Sequence, residues 1–241
     1  MEKINLFCLP FAGGNKYSYR LYQDNAPAFV NIIPLEYAGR GGRVKDPLSG
    51  DIETVLNDLY QQISPLIDQH KYAIYGHSMG GLLSSLLTRR LIRNNWKPPV
   101  HLFITGTPGP AALSRTIKKR HLLGKIEFIN ELRSLNGMPE EILRDVELLD
   151  YLEPVLRADF KVTENYVHTE TDRLDIPMTV ITGTEEDMEL EDIRLWQKET
   201  NAAIDFRRMP GNHFFIHQSP FEIIQIIAKV LIVHSKLVNH E

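Results

Sequence analysis

Cysteine is almost missing from this chain: Cys8 is the single one in 241 residues. A lone cysteine forms neither an internal disulfide nor a cysteine-based metal cluster, and Cys8 sits in an apolar run that marks it as a core residue. Excess positive charge is missing as well. With 27 Lys and Arg against 31 Asp and Glu, the net charge is −4, which gives no global field to gather a nucleic acid. No apolar run reaches membrane-spanning length. Met1-Glu2-Lys3-Ile4 leads directly into a strand, without the basic and apolar regions of a secretory leader. Gly13-Gly14 is followed by no Gly-Lys-Ser/Thr, so this early glycine loop is not a nucleotide-binding P-loop. Repeats, linkers and low-complexity stretches are absent too. The expectation is a cytoplasmic protein with no membrane, nucleic-acid or metal partner.

What is present suits one large α/β domain. The chain is 43% hydrophobic and 24% charged, enough to bury a sizeable core. Short apolar runs at 4–9, 29–35, 71–75, 100–106, 178–183 and 203–209 read as strands. Between them, Ile52, Val55, Leu56, Leu59, Ile63, Leu66 and Ile67 mark one face of a long helix, with Pro65 kinking it or beginning a new turn. Strand and helix alternate, which predicts a mostly parallel sheet covered by helices on both faces. From about 110 to 168 the alternation stops. Ile126, Ile129, Leu132 and Leu135, then Leu148, Leu149, Leu152, Val155 and Leu156, repeat helically. This block reads as helices inserted between two strands, either a mobile lid over the sheet's C-terminal edge or a simple decoration.

The most informative stretch is Tyr75-Gly76-His77-Ser78-Met79-Gly80-Gly81, of the form G-x-S-x-G. A strand precedes it and a helix follows, with Leu82, Leu83, Leu86, Leu87, Leu91 and Ile92 at helical spacing. That context turns a weak pattern into a nucleophile elbow, whose alternative is a glycine-rich turn with no chemistry. A serine hydroxyl needs a base to take its proton, and the base needs a carboxylate to hold its tautomer. The order Ser78, acidic loop 185–187, then His213 beyond the last strand is that of an α/β-hydrolase. His77 adjoins the nucleophile but points elsewhere, and His217 lies on the approach to the closing helix. The oxyanion hole needs two backbone N–H groups, one from Met79 and one from the first strand's loop, where Ala12-Gly13 fits. In the flexible loop Gly39-Arg40-Gly41-Gly42-Arg43, a phosphate contact for Arg40 or Arg43 stays open.

Several segments together resemble one family, the type II thioesterases of nonribosomal peptide and polyketide synthase assembly lines, members of the α/β-hydrolase superfamily. They are Pro10-Phe11-Ala12-Gly13-Gly14, Gly39-Arg40-Gly41 through Arg43, the elbow, Asn136-Gly137-Met138-Pro139-Glu140, Arg157-Ala158-Asp159-Phe160 and Gly211-Asn212-His213-Phe214-Phe215. They run through essentially the whole chain, and the two within the helical block are the most telling. The resemblance implies a serine hydrolase that cleaves acyl thioesters from the phosphopantetheine arm of carrier proteins through an acyl-serine intermediate. It implies no cofactor of the enzyme's own, a helical lid, small acyl thioesters as further substrates, and Ala12 and Met79 as oxyanion donors. The chemistry calls for no second subunit, so a monomer is expected. The family usually places Asp three residues after the glycine that ends the strand. Here Glu186 holds that place and Asp187 follows, so Glu186 is favoured as the acid with Asp187 its rival. A small-ester hydrolase, an acyltransferase of the same fold and a non-catalytic carrier-binding module are the alternative readings.

Overall fold

The computed structural model describes residues 1–67, 70–170 and 172–236. Six strands, β1 (Ile4–Leu9), β2 (Val30–Pro34), β3 (Tyr72–His77), β4 (Leu102–Thr105), β5 (Met178–Gly183) and β6 (Ile204–Met209), form one sheet in the order β2-β1-β3-β4-β5-β6. Every adjacent pair is parallel. The chain therefore has the α/β-hydrolase fold expected from its alternation. Pro34 ends β2, which lies on the sheet's edge, where a missing N–H interrupts no inner ladder.

Helices α1 (Arg20–Asn25), α2 (Ile52–Ile63) and α3 (Met79–Arg93) precede or follow the first strands. Then come α4 (Lys125–Ser134), α5 (Glu140–Arg144) and α6 (Val146–Glu164) between β4 and β5. The last are α7 (Leu190–Arg194), α8 (Phe215–Gln218) and α9 (Pro220–Lys236). The inner strands are apolar on both faces because both are covered, as parallel sheets require. Phe7, Leu9, Ile74, Ile104 and Val180 pack under α2 and α3. Their alternating neighbours Leu6, Cys8, Ala73, Tyr75 and Ile181 pack under α8 and α9. α2 begins at Asp51, whose carboxylate caps the Thr54 N–H at 2.8 Å. Pro65 ends it and opens a tight 3-10 turn at 64–66. That turn swings Leu66 out to 44% exposure, against its assignment to the buried face.

Helices α4 to α6 enclose a small core of their own, built on Phe128, Leu132, Leu143, Leu149 and Leu156. Among the described residues, no helix is long and apolar enough to cross a membrane.

Candidate active site

The β3–α3 turn holds Ser78 at φ 55°, ψ −113°, a conformation non-glycine residues avoid and one that costs roughly 1–3 kcal/mol. The surroundings enforce it. Ser78 N–H donates to the Thr105 carbonyl at 2.8 Å. A Cβ at position 76 would stand 2.1 Å from the Gly80 carbonyl oxygen, and one at position 80 would stand 2.1 Å from the Leu9 oxygen. Neither position admits a side chain, so β1, β3 and α3 close together and Ser78 is presented to the cleft above the strand ends.

Two other strand ends supply its partners. His213, in the loop between β6 and α8, brings Nε2 to 3.0 Å from Ser78 Oγ. Its Nδ1 lies 2.6 Å from Glu186 Oε1. The other carboxylate oxygen of Glu186 accepts the Gly183 N–H at 2.6 Å. Gly183 has no Cβ, and one there would meet the Gly211 oxygen at 2.5 Å and Glu186 Cγ at 3.2 Å. The bare strand end thus lets the acid and the histidine loop crowd together. The Glu186 side chain is 3% exposed and that of His213 25%. The carboxylate is sealed in while the imidazole reaches the cleft. Asp187, next in sequence, is exposed on the cleft rim and outside this chain of contacts.

His77 does not point wholly away, as its place beside the nucleophile suggests. It packs behind the His213 imidazole, the two ring centroids 4.9 Å apart. Its Nδ1 lies 2.9 Å from Thr105 Oγ1. Burial pushes the His77 pKa well below the ordinary histidine value, and His213 and His217 push the same way. His77 is therefore a neutral wall that adds no competing charge beside His213. His217, in α8, stacks on Phe214, and burial lowers its pKa as well.

Met79 is the first residue of α3, so its N–H belongs to the turn that has no intrahelical acceptor. Ala12 lines the same cleft as Ser78, Met79 and His213. The loop carrying Ala12 is fixed from the helical block. Gly13 N–H donates to Asp159 Oδ2 of α6 at 2.7 Å. The same carboxylate receives the Arg40 guanidinium at both oxygens, 2.5 and 2.7 Å, in a pair that is almost fully buried. The arginines whose phosphate contact the sequence leaves open have protein partners here: Arg40 pairs with Asp159, and Arg43 with Asp58 and Asp46. Sequence reasoning missed the Arg40–Asp159 link. Both residues stood in segments that carry the resemblance, but nothing in their spacing joins positions 119 apart.

The cleft encloses about 510 Å³. A second, apolar cavity of about 120 Å³ lies between Ala12, Phe214, Met138 of the α4–α5 connection and the helix residues Leu132, Leu152 and Leu156. Ala12, Leu135 and Phe160 border both spaces. Among the described residues, no group of three or more His, Cys, Asp or Glu is arranged to hold a metal ion. The arrangement can therefore take a proton from Ser78, place a developing oxyanion near α3 and the first loop, and receive an apolar group alongside.

A family profile described as a thioesterase domain matches residues 4–231. The gramicidin S biosynthesis protein GrsT of Aneurinibacillus migulanus is 32% identical over 230 residues, covering 95% of this chain and 89% of that one. The crystal structure of ClbQ, from the colibactin NRPS/PKS pathway, superposes with a TM-score of 0.90 at 27% identity, covering 95% of this chain and 97% of that one. The structure of the type II thioesterase BorB, from the borrelidin biosynthetic cluster, gives 0.85 at 28% identity, covering 94% and 92%.

Proposed function

This chain belongs to the thioesterase family, and on that premise we propose that it hydrolyses acyl groups from the phosphopantetheine arm of carrier proteins in a peptide or polyketide assembly line. That it is a serine hydrolase acting on thioesters in such biosynthesis follows from the family and its relatives. The finer reading rests on one observation, the unbroken chain from Ser78 Oγ through His213 to Glu186 at 3.0 and 2.6 Å, opening on a cleft beside an apolar cavity.

In the reaction His213 Nε2 takes the proton of Ser78 Oγ as that oxygen attacks the thioester carbon. Glu186 holds the Nδ1–H tautomer and stabilises the imidazolium. The oxyanion is received by the N–H groups of Met79 and Ala12, each worth about 3 kcal/mol of barrier. Collapse expels the pantetheine thiolate, which takes the proton from His213. The acyl-Ser78 ester is then cleaved by a water that His213 deprotonates. Helices α4 to α6 serve as the lid, and the 120 Å³ cavity beneath them takes the acyl chain. The enzyme carries out this chemistry as a monomer without a cofactor.

The test compares one acyl group on a carrier protein, on coenzyme A and on a small alcohol. A clear kcat/KM advantage for the carrier is expected. Equal values on carrier and coenzyme A would remove the assembly-line reading, and preference for the oxygen ester would make the protein a small-ester hydrolase. An accumulating acyl transfer to an added alcohol, in place of hydrolysis, would make it an acyltransferase. A fluorophosphonate probe separates all of these from a non-catalytic binding module, since an unactivated serine stays unlabelled.

A further inference from the structure

The cleft is bordered by two stretches of opposite charge. The segment 113–126 contains Arg115, Lys118, Lys119, Arg120 and Lys125 and no acidic residue, in a chain whose net charge is −4. The loop after β5 brings Glu185, Asp187 and Glu189, all exposed, to the same cleft. The cationic segment also carries four strongly exposed aliphatic residues. Leu113 is 82% exposed, Ile117 76%, Leu122 72% and Ile126 73%. Four such residues within fourteen positions depart from the scattered single exposures usual on a soluble surface, and exposed apolar clusters of this kind mark interaction sites.

We propose that segment 113–126 is the docking surface for the protein that delivers the thioester, engaging a partner face that is acidic and carries an apolar strip. This rests on the reading of the substrate as protein-borne. A tethered substrate can reach Ser78 only if its carrier sits on the rim of the cleft. The rim's charge polarity then chooses the side: an acidic carrier is attracted to 113–126 and repelled by Glu185, Asp187 and Glu189. Some cations here are occupied. Arg115 is tied to the Gly109 carbonyl and Thr107, and Arg120 is tied to Glu131 and Glu164. Lys118 and Lys125, paired with Glu131 and Asp150, remain 56% and 48% exposed, and exposed pairs of this kind exchange partners at little cost. The apolar residues supply contact area, while the cations supply orientation and encounter rate.

The experiment uses the full chain with Leu113→Ser, Leu122→Ser and Ile126→Ser combined, and separately Lys125→Glu. None of these residues lines the cleft. Each form is assayed with butyryl-carrier protein and with butyryl-N-acetylcysteamine. The expected result for the triple variant is a loss of at least tenfold in kcat/KM on the carrier, carried by KM, with the small thioester within twofold of wild type. For Lys125→Glu a several-fold loss on the carrier is expected, shrinking between 50 and 500 mM NaCl as screening removes the attraction. A carrier preference that survives in both variants overturns the docking surface, as does an equal loss on both substrates. Flotation of the wild type with anionic vesicles, or self-association abolished by the triple variant, overturns it in favour of a membrane or a second copy. A wild type with no carrier preference at all overturns the functional reading itself, and the docking surface with it.

Discussion

The sheet and the helical block between β4 and β5 are built differently. In the sheet, Phe7, Leu9, Ile74, Tyr75, Ile104 and Val180 have no exposed surface and are gripped from both faces. In the block, a five-residue core is surrounded by exposed Leu113, Ile117, Leu122 and Ile126. Ser78, Glu186 and His213 all hang from ends of strands, where neighbours held on two faces fix side chains to the precision that proton transfer needs. The block supplies the wall of the apolar cavity and one rim of the cleft. On the proposed reading, the rigid strand ends carry the bond-making and the less buried block carries substrate recognition, since elements of low local stability are the ones able to move.

The comparison breaks most sharply at the sheet's own site. Ser78→Ala is expected to lower turnover by about 10⁶, roughly 8 kcal/mol of barrier, with the melting temperature little changed and no acyl-enzyme seen by intact-protein mass spectrometry. Glu186→Gln should lower kcat by about 10⁴, since the amide favours the wrong imidazole tautomer, while Asp187→Asn should stay within a few-fold. Reversed magnitudes would transfer the acid's role to Asp187.

The seam between the two regions comes next. Asp159→Asn leaves Arg40 buried without its counter-charge, and chemical denaturation should register a loss of about 3–5 kcal/mol. The pair Arg40→Met with Asp159→Leu should restore much of that stability yet keep a lowered kcat, because the Gly13 N–H then has no acceptor from α6. Full recovery of kcat would show that the seam does not steady the first loop.

A smaller effect belongs to the sheet alone. His101, 6% exposed on β4's approach, has Nε2 at 2.9 Å from Thr179 Oγ1, and burial lowers its pKa to about 4. The unfolded chain accepts a proton near pH 6.5 that the folded chain refuses. Stability should therefore be intact above that pH and decline as pH falls from about 6.5 to about 4, by about 3 kcal/mol at pH 4 from this residue. His101→Gln should flatten that part of an unfolding-versus-pH curve. The smallest effect lies in the block: Leu152→Phe narrows the 120 Å³ cavity and should cost long acyl chains about tenfold in kcat/KM, about 1.4 kcal/mol, with acetyl thioesters unaffected.

The same contrast governs what could be read from the residues. Strands were legible because each is a short apolar run bounded by turn residues, and Met178–Gly183 appears in the sheet with those limits. Strand β3 runs on to His77, two residues further than its apolar run, because β4 pairs with it up to Thr105. Inside the block the periodicity misled locally. Ile126 fits the three-residue repeat of α4, but Phe128 and Leu132 set the buried stripe and nothing covers Ile126. A short helix with few partners leaves its pattern underdetermined.

Sequence by itself determined the alternation that makes a parallel sheet, the sharp glycine-flanked turn at Ser78, and the chain order of serine, acid and histidine. These are local matters of side-chain size and period, decided by residues close in the chain. Tertiary structure decided which acid meets His213, that His77 stands uncharged behind it, and that Asp159 reaches across to Arg40 and Gly13. Each of those is a meeting of groups far apart along the chain, settled only when the strand ends converge and water is driven from between them.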